Sequence, residues 1–327
     1  MTSPGLAAGR RGGRWAGMAL GLALLLVPAL LLVPALLLPQ ALLLPRTAQA
    51  QALQPQPQLL VDAAWVRAHG AEPRVRLVDL RAGWRYLLGH MPGAVHLSTT
   101  VLHTTVDGVD GMLAPPLEIE AALREAGING DSIVVAYDDR DGLSAARLFW
   151  ALEYLGHPDV RLLDGGWDGW RAAGGDSTTA TTEVAPGKFV AQPRGERIAP
   201  LDWLRGHFAD PGVQSLDTRT LAEFTGQRRY SDRGGRIPGA LWVHWREHFD
   251  PQRPGFLRDP GQLLALYQAR GVSPQQEQVV YCQVMARASH TYFVLRWLGF
   301  PRVRGYDGSW EEWGNRADTP VQHGLPE

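Results

Sequence analysis

The chain has one cysteine, Cys282, in the stretch Val279-Val280-Tyr281-Cys282-Gln283-Val284-Met285-Ala286-Arg287. A β-branched run leads into it and a helical pattern follows at once. The spacing predicts a thiol on a short loop between a strand's end and a helix's start. Unpaired backbone N–H groups and the positive end of the helix dipole favour negative charge there. This setting suits a nucleophile better than a packing residue. Four residues, Gln283, Val284, Met285 and Ala286, separate the cysteine from Arg287. A loop of that length can curl round the sulfur as a nest of inward-pointing N–H groups. Arg287 then closes the loop or faces the bound anion. Arg219 ends another inferred strand, and Arg228, Arg229, Arg233 and Arg236 follow it. The region is basic, which points to a small anionic substrate. Asp217 is expected to accept hydrogen bonds from loop amides. Glu223 is expected to pair with Arg219 or with the loop.

The elements that must position these groups occur twice. Asp164-Gly165-Gly166-Trp167-Asp168-Gly169-Trp170 recurs as Asp307-Gly308-Ser309-Trp310-Glu311-Glu312-Trp313. The stretch Leu148 to His157 recurs as Tyr292 to Phe300, Val78-Asp79-Leu80-Arg81 as Leu216-Asp217-Thr218-Arg219, and Met91-Pro92-Gly93-Ala94 as Ile237-Pro238-Gly239-Ala240. Four blocks in the same order, about 140 residues apart, indicate a duplication. The boundaries fall at 56–176 and 196–322, with a Thr-, Ala-, Pro- and Gly-rich linker over 177–195. Within each copy short β-branched runs alternate with helical patterns, such as Ser144 to Leu155 before Gly156 and Ala288 to Leu298 before Gly299. The fold class is therefore α/β, each copy a mainly parallel sheet flanked by helices. Ligands of such sheets bind beyond the strands' carboxyl ends, where Cys282 falls.

Setting the copies together aligns Tyr281-Cys282 with Tyr137-Asp138. The first copy has an acidic loop, Asp138-Asp139-Arg140-Asp141-Gly142, expected to repel anions and lacking a thiol. It is read as catalytically silent and as a wall of the second copy's cleft.

The formal net charge of -1 over 327 residues gives no electrostatic case for nucleic acid. Lys188 is the only lysine, so cationic chemistry falls to arginine. Residues 1–50 read as a targeting segment. Arg10, Arg11 and Arg14 precede an uncharged, Leu-rich run, and Thr47-Ala48-Gln49-Ala50 supplies an Ala-x-Ala cleavage pattern. Pro28, Pro34 and Pro39 interrupt the run, favouring a cleaved export signal over a retained membrane anchor. The expected location is exported, periplasmic. A lone cysteine in an oxidising compartment cannot form a structural intrachain disulfide, which leaves a reactive thiol, an intermolecular link or an accident.

The tandem repeat, the D-x-R strand end, the P-G-A turn, the C-x4-R loop and the D-G-[GS]-W-x-x-W block together resemble the two-domain rhodaneses, the thiosulfate and 3-mercaptopyruvate sulfurtransferases. The likeness covers nearly all of the chain after residue 56. It implies two rhodanese-like domains and transfer of sulfane sulfur, with Cys282 as the persulfide carrier. The partners would be a small anionic donor and a cyanide or thiol acceptor, with no cofactor. Mercaptopyruvate enzymes resemble one another in a C-G-[ST]-G-V-T loop, which this chain lacks, so thiosulfate is the favoured donor and 3-mercaptopyruvate the alternative. Two departures stand out. Family loops commonly carry glycine three residues after the cysteine, where Met285 stands, and a methionine held at φ > 0 would be strained. Arg236 stands where the common G-H-x-P-G-A turn has histidine.

The plainer roles are weighed at each residue. Arg219 serves equally well as a structural ion pair or an anion ligand. Trp167, Trp170, Trp310 and Trp313 read as core. His290 faces solvent more readily than the thiol, and His244 with His248 lacks a third ligand, so no metal site is expected. A cysteine phosphatase would need five residues between Cys and Arg. A non-enzymatic sulfur carrier or binding module remains the other class.

Overall fold

The computed structural model describes residues 53–325, so the targeting segment read over 1–50 lies outside the described residues. The first domain runs β1 (Leu60–Val61), α1 (Ala63–His69), β2 (Val75–Asp79), α2 (Gly83–Leu88), β3 (Val95–His96), β4 (His103–Val106), β5 (Val109–Leu113), α3 (Pro116–Glu125), β6 (Ile133–Tyr137), α4 (Leu143–Tyr154), β7 (Val160–Leu163) and α5 (Gly166–Ala172). The second runs β8 (Ile198–Ala199), α6 (Leu201–His207), β9 (Val213–Asp217), α7 (Leu221–Phe224), β10 (Leu241–Trp242), α8 (Pro260–Ala269), β11 (Glu277–Tyr281), α9 (Ala286–Trp297), β12 (Val303–Tyr306) and α10 (Ser309–Asn315).

Each domain holds a five-stranded parallel sheet, in the order β1-β7-β6-β2-β3 and β8-β12-β11-β9-β10. The two orders are the same once the strands are matched in sequence, so the duplication extends to topology. Register agrees too: Tyr137 pairs with Asp79 as Tyr281 pairs with Asp217. The central strands β6 and β11 are covered on both faces, so every residue after the first in each is buried, and β6 reads as an unbroken apolar run. The antiparallel hairpin β4–β5 belongs to the first domain.

The domains join through α4 and α9. Residues Ala288–Trp297 are all buried, because α9 is covered by its own sheet on one side and by α4 on the other. Phe149 meets Phe293 edge-on at 5.0 Å, and both rings are fully buried. Burying such a ring contributes about 1.5–3 kcal/mol. Glu153 fixes the helices' relative rotation, accepting a hydrogen bond from Tyr292 Oη at 2.6 Å and pairing with Arg296 Nε at 3.0 Å. Both helices stop before a glycine in the left-handed region, Gly156 (φ 86°) and Gly299 (φ 89°), as the pattern predicts.

The segment over 177–195 is extended and fastened to the first domain. Gly187 N–H donates to Arg124 O, Phe189 N–H to Ile128 O and Gln192 N–H to Leu155 O, while the Phe189 ring is buried. Among the described residues no helix is long and apolar enough to cross a membrane.

Candidate active site

Cys282 directly follows β11, and α9 begins at Ala286. The thiol therefore stands where a central parallel strand gives way to a helix N-terminus, whose first N–H groups have no intrahelical acceptor. The residue is 1% exposed, so the sulfur lies beneath its loop. Met285 takes the N-cap position at φ 63°, ψ -1°. Its counterpart in the first domain is Gly142, at φ 73°, ψ 9°. The turn thus requires the left-handed conformation, which costs a non-glycine residue about 1–2 kcal/mol. Burial offsets that cost. The Met285 side chain is fully covered, its terminal methyl lying over Gly305, where a Cβ would come within 2.3 Å of it. Met285→Gly relieves the strain but empties the pocket. A lost methionine side chain costs about 2–5 kcal/mol, so thermal melting should show a lower Tm; a higher Tm would mean that the strain dominates.

Ser309 pins the loop. Its hydroxyl accepts hydrogen bonds from Cys282 N–H at 3.3 Å and Met285 N–H at 3.1 Å and donates to Tyr306 O at 2.9 Å. Trp310 N–H donates to Cys282 O and Glu311 N–H to Gln283 O, both at 2.9 Å. The Gln283 side chain donates to Ser231 Oγ and Glu311 Oε2. The D-G-S-W block is thus the clamp on the cysteine loop. Trp170, Trp310 and Trp313 are buried as expected, and Trp167 is half-buried. Ser309 was legible only as a polar replacement of Gly166 in the repeat, and sequence reasoning gave it no role.

The first domain shows what the nest holds. Asp138, the counterpart of Cys282, accepts from Arg140 and Gly142 N–H through Oδ1, and from Ser144 and Ala145 N–H through Oδ2, at 2.6–2.9 Å. Burial pushes this carboxyl's pKa up, and the four amides oppose the shift. The nest of this loop is thus filled by its own carboxyl, which leaves no free amides for an anion from outside. Aligning α4 with α9 makes Arg287 and Ala288 the counterparts of Ser144 and Ala145, so their N–H groups stand at the position of Cys282.

Arg287 does not curl over the loop. Its guanidinium donates both Nη groups to Glu223, each at 2.9 Å. Burial alone would lower its pKa, but Glu223 and the Cys282 sulfur raise it overall. Burial likewise works to raise the Glu223 carboxyl, yet Arg287 and Thr220 outweigh it and hold its pKa at about 2. Glu223 also forms a capping box with Thr220 at the start of α7. Of its two expected partners the structure selects the loop.

Arg219 is not free to bind a substrate. Its Nε and Nη2 donate to Asp217 at 2.9 and 2.5 Å, and Nη2 also reaches Gly235 O. The guanidinium lies 4.4 Å from the Trp310 ring centroid. Arg81 repeats this arrangement with Asp79, Gly89 O and Trp167. The same pair beside a loop without cysteine marks it as structural. Asp217 accepts from the Arg219 backbone N–H at 3.0 Å, a neighbouring loop amide of the kind expected for it.

Arg236 is 1% exposed and binds the C-terminal segment, through paired backbone hydrogen bonds with Gln322 and from Nη1 to Gly324 O. Arg233 donates to the carbonyls of Trp313, Gly314 and Thr319. Arg229 donates to Asp232 O, and Arg228 lies over Tyr230. Arg229, Arg233 and Arg236 thus tie down backbone, their guanidinium groups donating to nearby carbonyls and not converging on an anion pocket.

His290 neither faces solvent nor approaches the thiol. It is buried against His248, with the two Nδ1 atoms 3.3 Å apart, and Tyr267 Oη lies 2.9 Å from His248 Nε2. Burial lowers His290 to a pKa of about 3 and drives His248 well below 6.5, with His290 adding to the latter. Below pH 6.5 the unfolded chain binds protons that the folded one refuses, so stability falls from pH 6.5 towards pH 3. Chemical denaturation across that range should show a falling midpoint, reduced in His290→Phe; a flat profile would contradict the buried neutral pair.

Arg147, from α4 of the first domain, reaches the cysteine loop. Nη2 donates to Gly111 O at 2.9 Å and lies 3.4 Å from Asp307 Oδ1, whose Oδ2 accepts from Leu113 N–H. Gly111, at φ 76°, brings the hairpin onto Val284: a Cβ there would lie 2.8 Å from the valine. Between hairpin and loop lies a cleft of about 640 Å³. Arg140, Arg147, Val284 and Ala286 are among its walls.

The fold and this loop define the class. The rhodanese-like domain profile matches residues 62–173 and 200–316, and the chain belongs to that family as a tandem member. The thiosulfate sulfurtransferase of Azotobacter vinelandii is 32% identical over 264 residues, covering 81% of this chain and 97% of that protein. The sulfur carrier protein TtuD of Thermus thermophilus is 34% identical over 282 residues, covering 82% and 98%. The crystal structure of SseA from Escherichia coli, described as a 3-mercaptopyruvate sulfotransferase, superposes with a TM-score of 0.70 at 30% identity, covering 77% of this chain and 98% of that one.

Proposed function

We propose that the protein is a sulfurtransferase that moves sulfane sulfur from thiosulfate to cyanide or a thiol through a persulfide on Cys282. The Cys282 thiolate attacks the outer sulfur of thiosulfate. A new S–S bond forms on the cysteine, the donor's S–S bond breaks, and its electron pair leaves with sulfite. An acceptor thiolate or cyanide then attacks the outer sulfur of the persulfide and returns the Cys282 thiolate.

The observation that carries this reading is the Asp138 carboxylate held by four amides, beside a second copy with a cysteine at the same place. A terminal persulfide sulfur, one bond beyond Sγ and negatively charged, resembles a carboxylate oxygen one bond beyond Cγ. Amides that hold one suit the other, as oxyanion-hole donors suit a developing charge. On this reading the first domain is catalytically silent because its nest is already filled by the Asp138 carboxyl.

Thiosulfate is favoured over 3-mercaptopyruvate because Gln283-Val284-Met285 offers none of the small Gly and Ser/Thr groups of the mercaptopyruvate loop. Steady-state kinetics with thiosulfate and cyanide tests the mechanism: a covalent intermediate gives parallel double-reciprocal lines, whereas intersecting lines would reject it. Export, with the leader removed after Ala50, belongs to the same proposal. A secreted protein beginning at Gln51 supports it, and one beginning at Met1 contradicts it. The likeness to a sulfur carrier favours a second reading, in which loading is fast and release needs a protein acceptor. A single turnover with cyanide as rapid as loading would count against it.

A further inference from the structure

Sulfur transfer from an anion such as thiosulfate calls for a cation at the cysteine, and Arg219, Arg287, Arg233 and Arg236 of the second domain are committed elsewhere. Arg219 is bound to Asp217 and Arg287 to Glu223. Arg233 and Arg236 hold backbone carbonyls. Arg147 differs. Its side chain is 8% exposed, its one carboxylate contact is long at 3.4 Å, and Nη1 is buried without a hydrogen-bond partner. A buried guanidinium with an unused donor retains an unmet need for an acceptor.

Position adds to this. In the register that matches Gly142 to Met285, Arg147 is the counterpart of His290. Each crosses to the other domain: His290 lies against Gly142, and Arg147 shares a cleft with Val284 and Ala286. The pseudo-two-fold packing of α4 on α9 thus delivers one side chain to each loop. The histidine meets the loop filled by Asp138, and the arginine meets the loop with the thiol.

We infer that Arg147 is the donor-binding cation of the site, supplied by the silent domain, with Nη1 taking an oxygen of the donor's sulfonate group while the outer sulfur faces Cys282. The inference rests on the sulfur-transfer reading and deepens it. Arg147 then also stabilises the sulfite that departs with the electron pair of the broken S–S bond. The first domain gains a functional role without a nucleophile of its own: catalysis at Cys282 requires the neighbour's helix.

The competing role is an interdomain clasp, in which Arg147 only holds Asp307 and the hairpin. Two variants in a full-length Cys282→Ser background separate the roles, with inorganic thiosulfate binding read by titration calorimetry and Tm read alongside. Arg147→Gln should weaken thiosulfate binding by about tenfold or more, the scale of a lost charge-assisted hydrogen bond. Asp307→Asn frees the guanidinium and should keep affinity within about threefold of the parent or tighten it. A clasp predicts equal losses in both. If Arg147→Gln does not fold, Arg147→Lys serves: it keeps the charge without the planar fork, and at unchanged Tm should lose about threefold or more. Parent-like binding in the folded Arg147 variant, equal losses in Arg147→Gln and Asp307→Asn, or no thiosulfate binding by the parent would overturn the inference. Failure of the wild-type protein to gain sulfur from any donor would instead overturn the underlying reading, and this inference with it.

Discussion

Cys282→Ser is expected to lower thiosulfate-to-cyanide sulfur transfer by at least about 1,000-fold while leaving the fold in place, since the chain has no second thiol to take over. The size of the effect follows from covalency. A serine hydroxyl holds its proton and forms no persulfide, so the double displacement has no first step. The stability change should be small, below about 2 kcal/mol, because the hydroxyl replaces a buried sulfur of similar shape beside the N–H groups of α9, which can satisfy it. Rate and Tm measured on the same preparation check both halves. Retention of more than about a tenth of the activity would remove Cys282 from the mechanism. Total loss of folding would make its role structural.

Arg287→Ala should have the second-largest effect, on stability as well as activity. Glu223 has a side chain only 3% exposed, and Arg287 supplies two of its hydrogen bonds. Removing the arginine leaves a nearly buried carboxylate, at a cost of about 3–5 kcal/mol for a fully buried pair. Arg287 is 22% exposed, which puts the expectation at the lower end. The double variant Glu223→Gln/Arg287→Ala should recover part of the loss, since no charge is then stranded. The linkage has a definite sign. With Glu223 held at about 2 against an ordinary 4.5, the pair's contribution is complete above pH 4.5 and is lost as pH falls towards 2. The wild type should therefore lose more stability than the double variant between pH 4.5 and 2. Equal acid sensitivity would mean that the pair contributes nothing.

What the sequence made legible is what repetition and periodicity encode. Four repeated blocks gave the tandem architecture, and alternating β-branched and helical runs gave the parallel sheets. The run from Val279 to Arg287 placed the cysteine between strand and helix. The glycine that family loops commonly carry three residues after the cysteine pointed to a positive φ at Met285, which the structure bears out. Side-chain partners were much less legible, because they depend on what tertiary structure brings near. The arginines from 228 to 236 look like an anion pocket in one dimension, but the C-terminal segment folds back and supplies carbonyls to Arg233 and Arg236. Arg219 was undecided until its copy Arg81 appeared in the same buried pair. His290 was considered as a neighbour of its own domain's thiol. The packing of α4 on α9 sends it across the interface instead and brings Arg147 the other way. No periodicity within one copy carries that exchange; it follows from the pseudo-symmetry between copies.

The most direct test of the account is the intact mass of the purified, reduced protein before and after incubation with thiosulfate. The account predicts a gain of one sulfur atom per chain, absent in Cys282→Ser and reversed by cyanide. No gain from thiosulfate in protein that is folded and has a free thiol would contradict it, and a gain that persists in Cys282→Ser would place the sulfur elsewhere.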